Sequence, residues 1–218
     1  MELIALIGCG GHGKVIEHMA EKTFSEVKIV AKLDDVFTER YVEDEILYGP
    51  VNEIFRLLPY GVKIIVTIGD NRTRQRVVER LGLYEGDYTN MIHSRSIVSD
   101  DVEIGKGNVI MPGVIINPGV KIGNHCIMNS GSIVEHDSQV NDFSHICPGT
   151  VMTGNVSLGE GVILGANSTI LPGLEIGKWS TIGAGSTVIH NMKEYITAVG
   201  SPAMEVENCK KYSYPPLI

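Results

Sequence analysis

One histidine in the second half of the chain has neighbours that suit acid–base chemistry. His136 follows Glu135 and precedes Asp137, so its imidazole stands between two carboxylates. An exposed imidazole in such a setting can accept and return a proton near neutral pH, while a carboxylate fixes its tautomer and stabilises the imidazolium. His136 is therefore a candidate general base. The alternative is an ordinary solvated turn residue.

A glycine-rich segment near the start of the chain suits phosphate binding. Gly8, Gly10 and Gly13 match G-x-G-x-x-G after the apolar run 3–7, and Asp34 lies 21 residues beyond Gly13. Such glycines let a diphosphate approach a helix N-terminus, and an acidic side chain nearby can bind a ribose or base. NAD and a nucleotide-linked sugar both satisfy this pattern, and a ligand-free strand–helix turn is the third possibility. Only about three strands are predicted here, half of a full dinucleotide-binding sheet, which disfavours a dehydrogenase.

Three histidines raise the possibility of a metal centre. His125, His136 and His145 are separated by eleven and nine residues. A zinc enzyme of the carbonic anhydrase type needs three imidazoles converging on one ion. The four cysteines form no C-x-x-C pair, which argues against a zinc knuckle or a disulfide framework. They are Cys9, Cys126, Cys147 and Cys209. We therefore expect no metal.

These candidate residues lie in a chain whose second half repeats every six residues. Sixteen successive positions of that spacing are aliphatic, and a mostly small or β-branched row lies two residues before them. The aliphatic row is Val98, Ile104, Ile110, Ile116, Ile122, Met128, Val134, Val140, Ile146, Met152, Leu158, Leu164, Ile170, Ile176, Ile182 and Val188. A six-residue period fits neither an amphipathic helix nor an alternating strand. It predicts a triangular coil with one hexapeptide per side and about five coils. A β-sandwich with frequent turns is the alternative.

The repeat also predicts where the candidate base lies. Val134 belongs to the inward row, so His136, two residues later, is expected at or near a corner and facing outward. By the same register His125, His136 and His145 fall on different sides of the triangle, so they could converge only between subunits. The sequence therefore favours His136 as a base over a metal ligand.

The first ninety residues lack the hexad and alternate predicted strands with helices. The predicted strands are 3–7, 27–32 and 63–68, and the predicted helices are 14–22, 52–58 and 72–81. Alternation of this kind predicts a small, Rossmann-like parallel α/β sheet. We expect an α/β domain at 1–90, a repeat domain at 91–205 and a C-terminal tail at 206–218.

Composition excludes some classes of partner. The formal net charge is −8, which disfavours a nucleic-acid binder or a polybasic membrane protein. No apolar run approaches the length of a membrane span. The N-terminal apolar run enters the glycine loop without a basic region before it, so no signal peptide is expected. These features predict a cytoplasmic protein.

Several motifs together resemble one family. They are the glycine loop with His12 and Lys14, Leu33-Asp34-Asp35, Gly69-Asp70-Asn71, Val134-Glu135-His136-Asp137, His145-Ile146-Cys147-Pro148-Gly149 and Val199-Gly200-Ser201-Pro202-Ala203. The chain resembles the bacterial sugar acetyltransferases with hexapeptide repeats. These include sialic acid O-acetyltransferases and N-acetyltransferases of nucleotide-linked 4-amino-sugars. The likeness runs from about residue 3 to 205, and the glycine loop joined to E-H-D and H-I-x-P-G is its most specific part.

The resemblance implies a fold, an assembly and a reaction. It implies a left-handed parallel β-helix, a homotrimer with active sites between adjacent prisms, and acetyl-CoA as cosubstrate lying along the groove. His136 would deprotonate the acceptor as it attacks the thioester, and Asp137 would orient or electrostatically support His136. Transfer would be direct, because a thiolate leaves readily and no covalent enzyme species is needed.

The resemblance also implies binding roles for residues in both domains. Asn129 and His145 would line the acceptor and acetyl site. The nucleotide would be held in domain 1–90, and the pantetheine arm would meet backbone groups of the acyltransferase domain 91–205. The nucleotide-binding residues would be Gly10, Gly11, His12, Asp34 and Asp35. The cofactor-binding residues would be His145 and, along the pantetheine arm, Gly154, Ala184 and Gly185.

The leading hypothesis is N-acetylation of a nucleotide-diphosphate-linked amino-sugar, for surface glycan synthesis. The nucleotide-style loop favours it over O-acetylation of sialic acid or another sugar hydroxyl, which is the first alternative. A carbonic-anhydrase-like zinc enzyme and a non-catalytic nucleotide-sugar-binding protein rank lower.

Overall fold

The computed structural model describes residues 1–23 and 26–206. Most of the predicted tail 206–218, including Cys209, therefore lies outside the described residues. The front region contains β1 (Glu2–Ile7), α1 (Gly11–Thr23), β2 (Val27–Leu33), β3 (Tyr41–Glu43), β4 (Ile46–Gly49), α2 (Ile54–Leu57), β5 (Lys63–Val66) and α3 (Asn71–Leu81). Short 3-10 turns lie at Val51–Glu53, Leu58–Tyr60 and Glu85–Asp87. Among these described residues, no helix is long and apolar enough to cross a bilayer.

The front sheet has five strands rather than the three that we predicted. Their order is β3-β4-β2-β1-β5, with β1 parallel to β2 and β5, and β4 parallel to β2. The two additional strands form the antiparallel hairpin β3–β4, which the sequence prediction missed. Its turn residues Asp44 and Glu45 take positive φ angles of 48° and 64°. Such turns usually carry Asn-Gly or Asp-Gly, so this sequence lacked the usual hairpin signal.

The repeat forms a three-sided prism, as the six-residue period predicts. The covered face contains strands Met91–Ile92, Val109–Ile110, Ile127–Met128, His145–Ile146, Ile163–Leu164, Thr181–Ile182, Thr197–Val199 and Met204–Glu205. The aliphatic face contains Ile97–Val98, Ile115–Ile116, Ile133–Val134, Val151–Met152, Thr169–Ile170 and Thr187–Val188. The polar face contains Glu103–Ile104, Lys121–Ile122, Gln139–Val140, Ser157–Leu158 and Glu175–Ile176.

The predicted inward rows are the core of the prism. Strands of one face pair in parallel with an offset of 18 residues, as Ile115 pairs with Ile133 and Ile133 with Val151. Inward residues such as Val134 and Ile146 are fully buried, and so is the small row that includes Ser138. We name the corners after one residue each. The Asn129 corner joins the covered and aliphatic faces, the His136 corner joins the aliphatic and polar faces, and the Phe143 corner joins the polar and covered faces.

The three faces differ in what lies on them. Ile16, Met19 and Ala20 of α1 join the same apolar cluster as the prism core, so the front region packs on the covered face. The polar face presents charged and amide side chains, among them the ion pair of Lys121 Nζ with Glu103 at 2.9 Å. The aliphatic face instead points a row of apolar and threonine side chains outward. That row is Ile97, Ile115, Ile133, Val151, Thr169 and Thr187, and none of them is buried.

Helix α3 is fixed to the prism at the Phe143 corner by polar and aromatic contacts. The amide of Asn71, which is buried, donates to the carbonyl oxygens of Gly161 and Val162 at 3.2 and 3.3 Å. The Arg72 guanidinium lies 4.5 Å from the centre of the Trp179 ring. Asp70 caps the start of the helix, since its carboxylate accepts from the Thr73 amide at 2.8 Å. The start of α3 is therefore specified locally, whereas its docking depends on Gly161, which lies 90 residues away from Asn71.

Candidate active site

The candidate base lies on the His136 corner and faces solvent. The His136 side chain is 61% exposed, and its Nδ1 lies 2.8 Å from Asp137 Oδ2. Asp137 has a φ of 59°, a left-handed conformation that aspartate tolerates better than most residues. The structure thus brings together the two residues that we predicted as catalytic. Since the carboxylate meets Nδ1, Nε2 is the ring nitrogen left to face a substrate.

A glycine one coil further on makes room for the His136 ring. A Cβ atom at Gly154 would lie 2.6 Å from His136 Nε2 and 2.7 Å from its Cε1. Real Cβ contacts are never that short, so any side chain at position 154 would displace the imidazole. We predicted Gly154 as a backbone partner of a coenzyme, and the structure places it against the candidate base.

A second cluster lies at the Asn129 corner and on the covered face. Asn129 Nδ2 and His145 Nε2 are 3.0 Å apart, and Asn129 Oδ1 accepts from the Ser130 amide at 2.8 Å. The His12 ring, at the start of α1, lies 6.3 Å from the His145 ring between centroids. Three of the predicted site residues, His12, Asn129 and His145, therefore lie in one cluster, although His12 is more than 100 residues before the other two in sequence.

Burial keeps the two histidines of this cluster neutral. Loss of hydration, reinforced by the nearby Arg74 charge, lowers the pKa of His145 to about 3 and that of His12 to about 4. Both imidazoles are therefore uncharged at neutral pH and serve as fixed hydrogen-bonding groups. His12 Nε2 is buried and has no hydrogen-bond partner among residues 1–23 and 26–206, which marks a position for a polar group of a ligand.

The glycine loop is closed on one side and open on the other. Gly13 packs so tightly on the Gly8 carbonyl that a side chain there would collide with it, and Gly8 has a φ of 109°. A Cβ at Gly10 or Gly11 would meet nothing within 4 Å. Two of the predicted nucleotide-binding positions thus have open space in front of them at the start of α1. A helix N-terminus of this kind offers unpaired N–H groups to an anion.

The two predicted acidic residues have different surroundings. Asp34 Oδ2 accepts from the Cys9 amide at 2.7 Å, so this carboxylate braces the glycine loop. Asp35 is ion-paired with Arg80 at 2.8 Å near the surface.

A cavity of about 140 Å³ lies beside the glycine loop, and its lining includes Cys9. The rest of the lining is Leu6, Gly8, Gly13, Lys14, Glu17, Lys32, Phe37 and Tyr48.

The remaining predicted residues follow the Asn129 corner along the prism. Ala184 and Gly185 lie on that corner three coils beyond Asn129, about 14 Å away at the usual strand spacing. Both are exposed. Gly154 lies on the His136 corner instead, so within one chain the predicted coenzyme-binding positions occupy two corners. A larger groove of about 410 Å³ on the polar face contains none of the predicted site residues.

Arg74 is the residue near the site that sequence analysis missed. It is a residue of α3, is 1% exposed, and lies between the loop 68–70 and the Phe143 corner. The sequence did contain a signal, because Arg74 precedes the buried Val77 and Leu81 by three and seven residues and so falls on the buried side of the helix.

The described part of the chain contains no group of three or more histidine, cysteine or acidic side chains that could hold a metal ion.

Two protein-family models match the chain. The PglD N-terminal domain matches residues 3–81, and the bacterial transferase hexapeptide (six repeats) matches 101–136 and 155–190. UDP-N-acetylbacillosamine N-acetyltransferase of Bacillus subtilis (strain 168) is 41% identical over 114 residues, 51% of this chain and 52% of that protein. The chain thus spans about half the length of the curated relatives that it matches.

Two solved structures extend the likeness over nearly the whole chain. A histidine-to-asparagine variant of perosamine N-acetyltransferase from Caulobacter crescentus, in complex with CoA and GDP-perosamine, has a TM-score of 0.85 and 30% identity. The alignment covers 95% of this chain and 98% of that one. The acetyltransferase domain of PglB from Neisseria gonorrhoeae FA1090, in complex with acetyl coenzyme A, has a TM-score of 0.82 and 30% identity, covering 94% and 99%. The chain therefore belongs to the bacterial sugar acetyltransferases with hexapeptide repeats, and its prism is the left-handed parallel β-helix of that family.

Proposed function

We propose that this chain is an acetyl-CoA-dependent N-acetyltransferase that acts on the amine of a nucleotide-diphosphate-linked amino-sugar. The observation that carries the proposal is the position of His12. It stands at the start of α1, next to the open glycine loop, and its ring lies 6.3 Å from that of His145. A substrate with its diphosphate on the loop would extend its sugar toward His145 and Asn129. The relatives named for UDP- and GDP-linked amino-sugars support this class of substrate.

The front region supports binding of the nucleotide. Gly10 and Gly11 leave space before the helix N-terminus, where N–H groups and the helix dipole favour a diphosphate. His12 supplies an unpaired buried nitrogen toward the sugar, and Asp34 holds the loop in shape through the Cys9 amide. Asp35 lies one residue further on, at the surface, for a ribose or base. In this proposal domain 1–90 selects the substrate and domain 91–205 performs the transfer.

The chemistry is a direct acyl transfer. The amine nitrogen attacks the thioester carbonyl carbon and forms a tetrahedral intermediate, while His136 Nε2 takes the proton that the nitrogen loses. Asp137 holds His136 by Nδ1 and stabilises the imidazolium. Collapse breaks the carbon–sulfur bond, and the proton on His136 passes to the departing CoA thiolate. The side-chain N–H of Asn129 that does not meet His145 lies at the other corner to bind the carbonyl oxygen as it becomes negative.

The assembly that we propose is a homotrimer with sites between adjacent prisms. The outward row on the aliphatic face is uncovered in one chain, whereas the covered face is occupied by the front region and the polar face is charged. An apolar face of this kind fits a second copy of the chain. Asn129 and His136 lie on opposite edges of that face. Packing around a threefold axis would bring the His136 corner of one copy to the Asn129 corner of the next.

The same arrangement gives acetyl-CoA a groove between two copies. Its thioester would lie between Asn129 and the neighbouring copy's His136 corner. Its pantetheine arm would follow the Asn129 corner toward Ala184 and Gly185, with Gly154 of the neighbouring copy on the opposite wall. No metal has a role in this mechanism. We place the reaction in the cytoplasm, where acetyl-CoA is available.

The test is thiol release from acetyl-CoA on a panel of UDP-, GDP- and TDP-linked 4-amino-sugars. Turnover on one nucleotide-sugar, lost in His136→Ala and kept in His18→Ala, is the expected result. His18 is a matched control because it is an exposed histidine on α1. Turnover on sialic acid or another hydroxyl acceptor, with none on the panel, would overturn the proposed substrate. If no acceptor gave thiol release, the result would favour a nucleotide-sugar-binding protein without catalysis.

A further inference from the structure

Arg74 is a buried cation without a carboxylate partner. Its side chain is 1% exposed, and none of the ion pairs among the described residues includes it. Burying a charge in this way is costly unless every hydrogen-bond donor is used. A methionine or leucine would fill the space more cheaply, so the position points to a role for the guanidinium itself.

The guanidinium donates to both parts of the molecule. Toward the prism, Nε donates to the His125 carbonyl and Nη2 to the Phe143 carbonyl, each at 2.8 Å. Toward the front region, Nη1 donates to the carbonyls of Ile68 at 2.7 Å and Gly69 at 3.3 Å. Nη2 also meets Asn71 Oδ1 at 2.7 Å. One planar group thus fixes the loop after β5 against two successive turns of the Phe143 corner.

The contacts continue from that loop to the acetyl site. The Gly69 backbone lies beside the His145 ring on one side, and on the other side His145 Nε2 meets Asn129 Nδ2 at 3.0 Å. The Asn129 oxygen is engaged by the Ser130 amide at 2.8 Å. With these contacts made, the Asn129 amide cannot rotate, and its second N–H has no partner among the residues that the structure describes. That N–H is the group available to a substrate oxygen.

We infer that Arg74 is a positioning residue for acetyl transfer, which acts through Gly69 and His145 to hold the Asn129 amide in place for the acetyl carbonyl oxygen. The inference rests on the proposed function for the identity of that oxygen. The chain of contacts itself is independent of it. Arginine suits this position because its rigid fork reaches four backbone carbonyl groups at fixed angles, which a lysine ammonium cannot reproduce.

The Arg74 charge adds a second effect, on the protonation of its neighbours. The titratable groups around it are His12, His145, His125, Cys126 and Asp70, with Asp142 close to His125. Burial is the larger cause that keeps the imidazoles neutral, and the positive charge of Arg74 adds to it, so the lone pair of His145 Nε2 remains free to accept from Asn129. Protonation would turn that nitrogen into a donor and release the amide.

Two substitutions separate geometry from charge. Arg74→Lys keeps the charge and loses the fork. We expect its kcat to fall about 10- to 100-fold, with the KM for acetyl-CoA within about twofold, as for a displaced transition-state donor. Arg74→Met removes the charge as well. We expect its His145 imidazole, followed by NMR, to titrate at least about one pH unit higher than in the wild type. Arg76→Lys, an exposed arginine on the same helix, is the matched control and should change neither quantity.

A double-mutant cycle decides whether the effect passes through Asn129. In an Asn129→Ala background, Arg74→Lys should lower kcat by less than about twofold, because the group that it positions is gone. Additive losses in the two backgrounds, or a lower melting temperature with unchanged kcat per folded molecule, would overturn the inference. If the wild type acetylates no acceptor, the proposed function fails. The NMR titration then still tests Arg74, and an unchanged His145 midpoint in Arg74→Met would reject it.

Discussion

The His136 corner and the seam, the junction between the front region and the covered face around His12 and His145, hold histidines of opposite character. His136 is 61% exposed and touches one carboxylate, Asp137. His145 is enclosed between Asn129, Gly69 and His12, and its pKa is lowered to about 3 by burial and the Arg74 charge. One imidazole can exchange a proton with a substrate, and the other is fixed as a neutral hydrogen-bonding group. The residue type is the same, and the surroundings decide its chemistry.

The difference teaches how a repetitive scaffold acquires a site. Every coil of the prism offers equivalent corners, so the repeat alone distinguishes none of them. The His136 corner is distinguished by side chains of its own hexapeptide and by Gly154 one coil away. The seam is distinguished by a second region of the chain, which buries His145 and supplies His12 and Arg74. In the proposed function a complete site needs both, and within one chain His136 and Asn129 lie on opposite edges of the aliphatic face.

We expect the largest loss of turnover from a substitution that blocks assembly of the trimer and leaves the residues of both corners unchanged. Ile133 points outward on the aliphatic face, between Asn129 and His136 in sequence. A glutamate there would place a charge in the proposed interface, so Ile133→Glu should give a monomer without detectable turnover. Light scattering after size-exclusion chromatography measures the assembly. Gln139→Glu, on the polar face, is the control that should remain trimeric. A trimeric Ile133→Glu protein would contradict the proposed interface.

The next effect separates the two histidines. His136→Ala should lower kcat by about 10²- to 10⁴-fold, the usual contribution of a general base, while the melting temperature changes little because the side chain is exposed. His145→Ala should lower both, since it removes a packed ring and leaves Asn129 without its partner. Steady-state kinetics and calorimetry on the two variants measure the contrast. If His136→Ala and His145→Ala lowered the melting temperature equally, the contrast between an exposed base and a buried hydrogen-bonding histidine would be contradicted.

A smaller loss of kcat is expected from a substitution that shifts the ring of the proposed base, His136. Gly154→Ala should lower kcat by about 10- to 100-fold, because a Cβ there would lie 2.6 Å from His136 Nε2 and displace the ring. Gly86→Ala is the control, since a Cβ at Gly86 would meet nothing within 4 Å. If Gly154→Ala raised only the KM for acetyl-CoA, position 154 would instead be a coenzyme contact, as its sequence resemblance suggested.

The last effect concerns the acid stability of the folded chain and not its activity. The pKa is lowered to about 3 in His145 and about 4 in His12 and His125, against an ordinary value of 6.5. Below pH 6.5 these histidines bind protons in the unfolded chain but stay neutral in the folded chain. The free energy of unfolding therefore falls as the pH drops toward 4. Each such histidine contributes up to about 1.4 kcal/mol per pH unit in that window. Urea titrations at pH 7 and 5 measure the loss, and His145→Asn should reduce it. A pH-independent stability would contradict neutral buried imidazoles.

Sequence reasoning worked where the structure is local and periodic. The inward row from Val98 to Val188 could be read from the six-residue spacing, because each hexapeptide makes one side of the prism and nothing interrupts it. The pairing of His136 with Asp137 was also predictable, since the two are adjacent in sequence. The glycine loop and its helix were located correctly, although α1 begins at Gly11 and not at Lys14.

Features that depend on distant segments were not predictable in the same way. The hairpin β3–β4 was missed because Asp44 and Glu45 are poor turn signals. Arg74 was missed because a cation on the buried side of a helix has meaning only once its acceptors are known. Two of these, the carbonyls of His125 and Phe143, lie 51 and 69 residues away. Spacing within a segment is visible in the sequence, whereas the partners of a buried polar group are not.

The most direct test of this account is complementation between two inactive variants. His136→Ala and Asn129→Ala chains are mixed, unfolded and refolded together, and thiol release is compared with each variant refolded alone. If each site joins the His136 corner of one copy to the Asn129 corner of the next, random trimers should recover about a quarter of the wild-type sites. Recovery near that level supports a site shared between copies. No recovery, with mixed trimers present and the wild type active, would show that one chain holds the whole site and contradict the account.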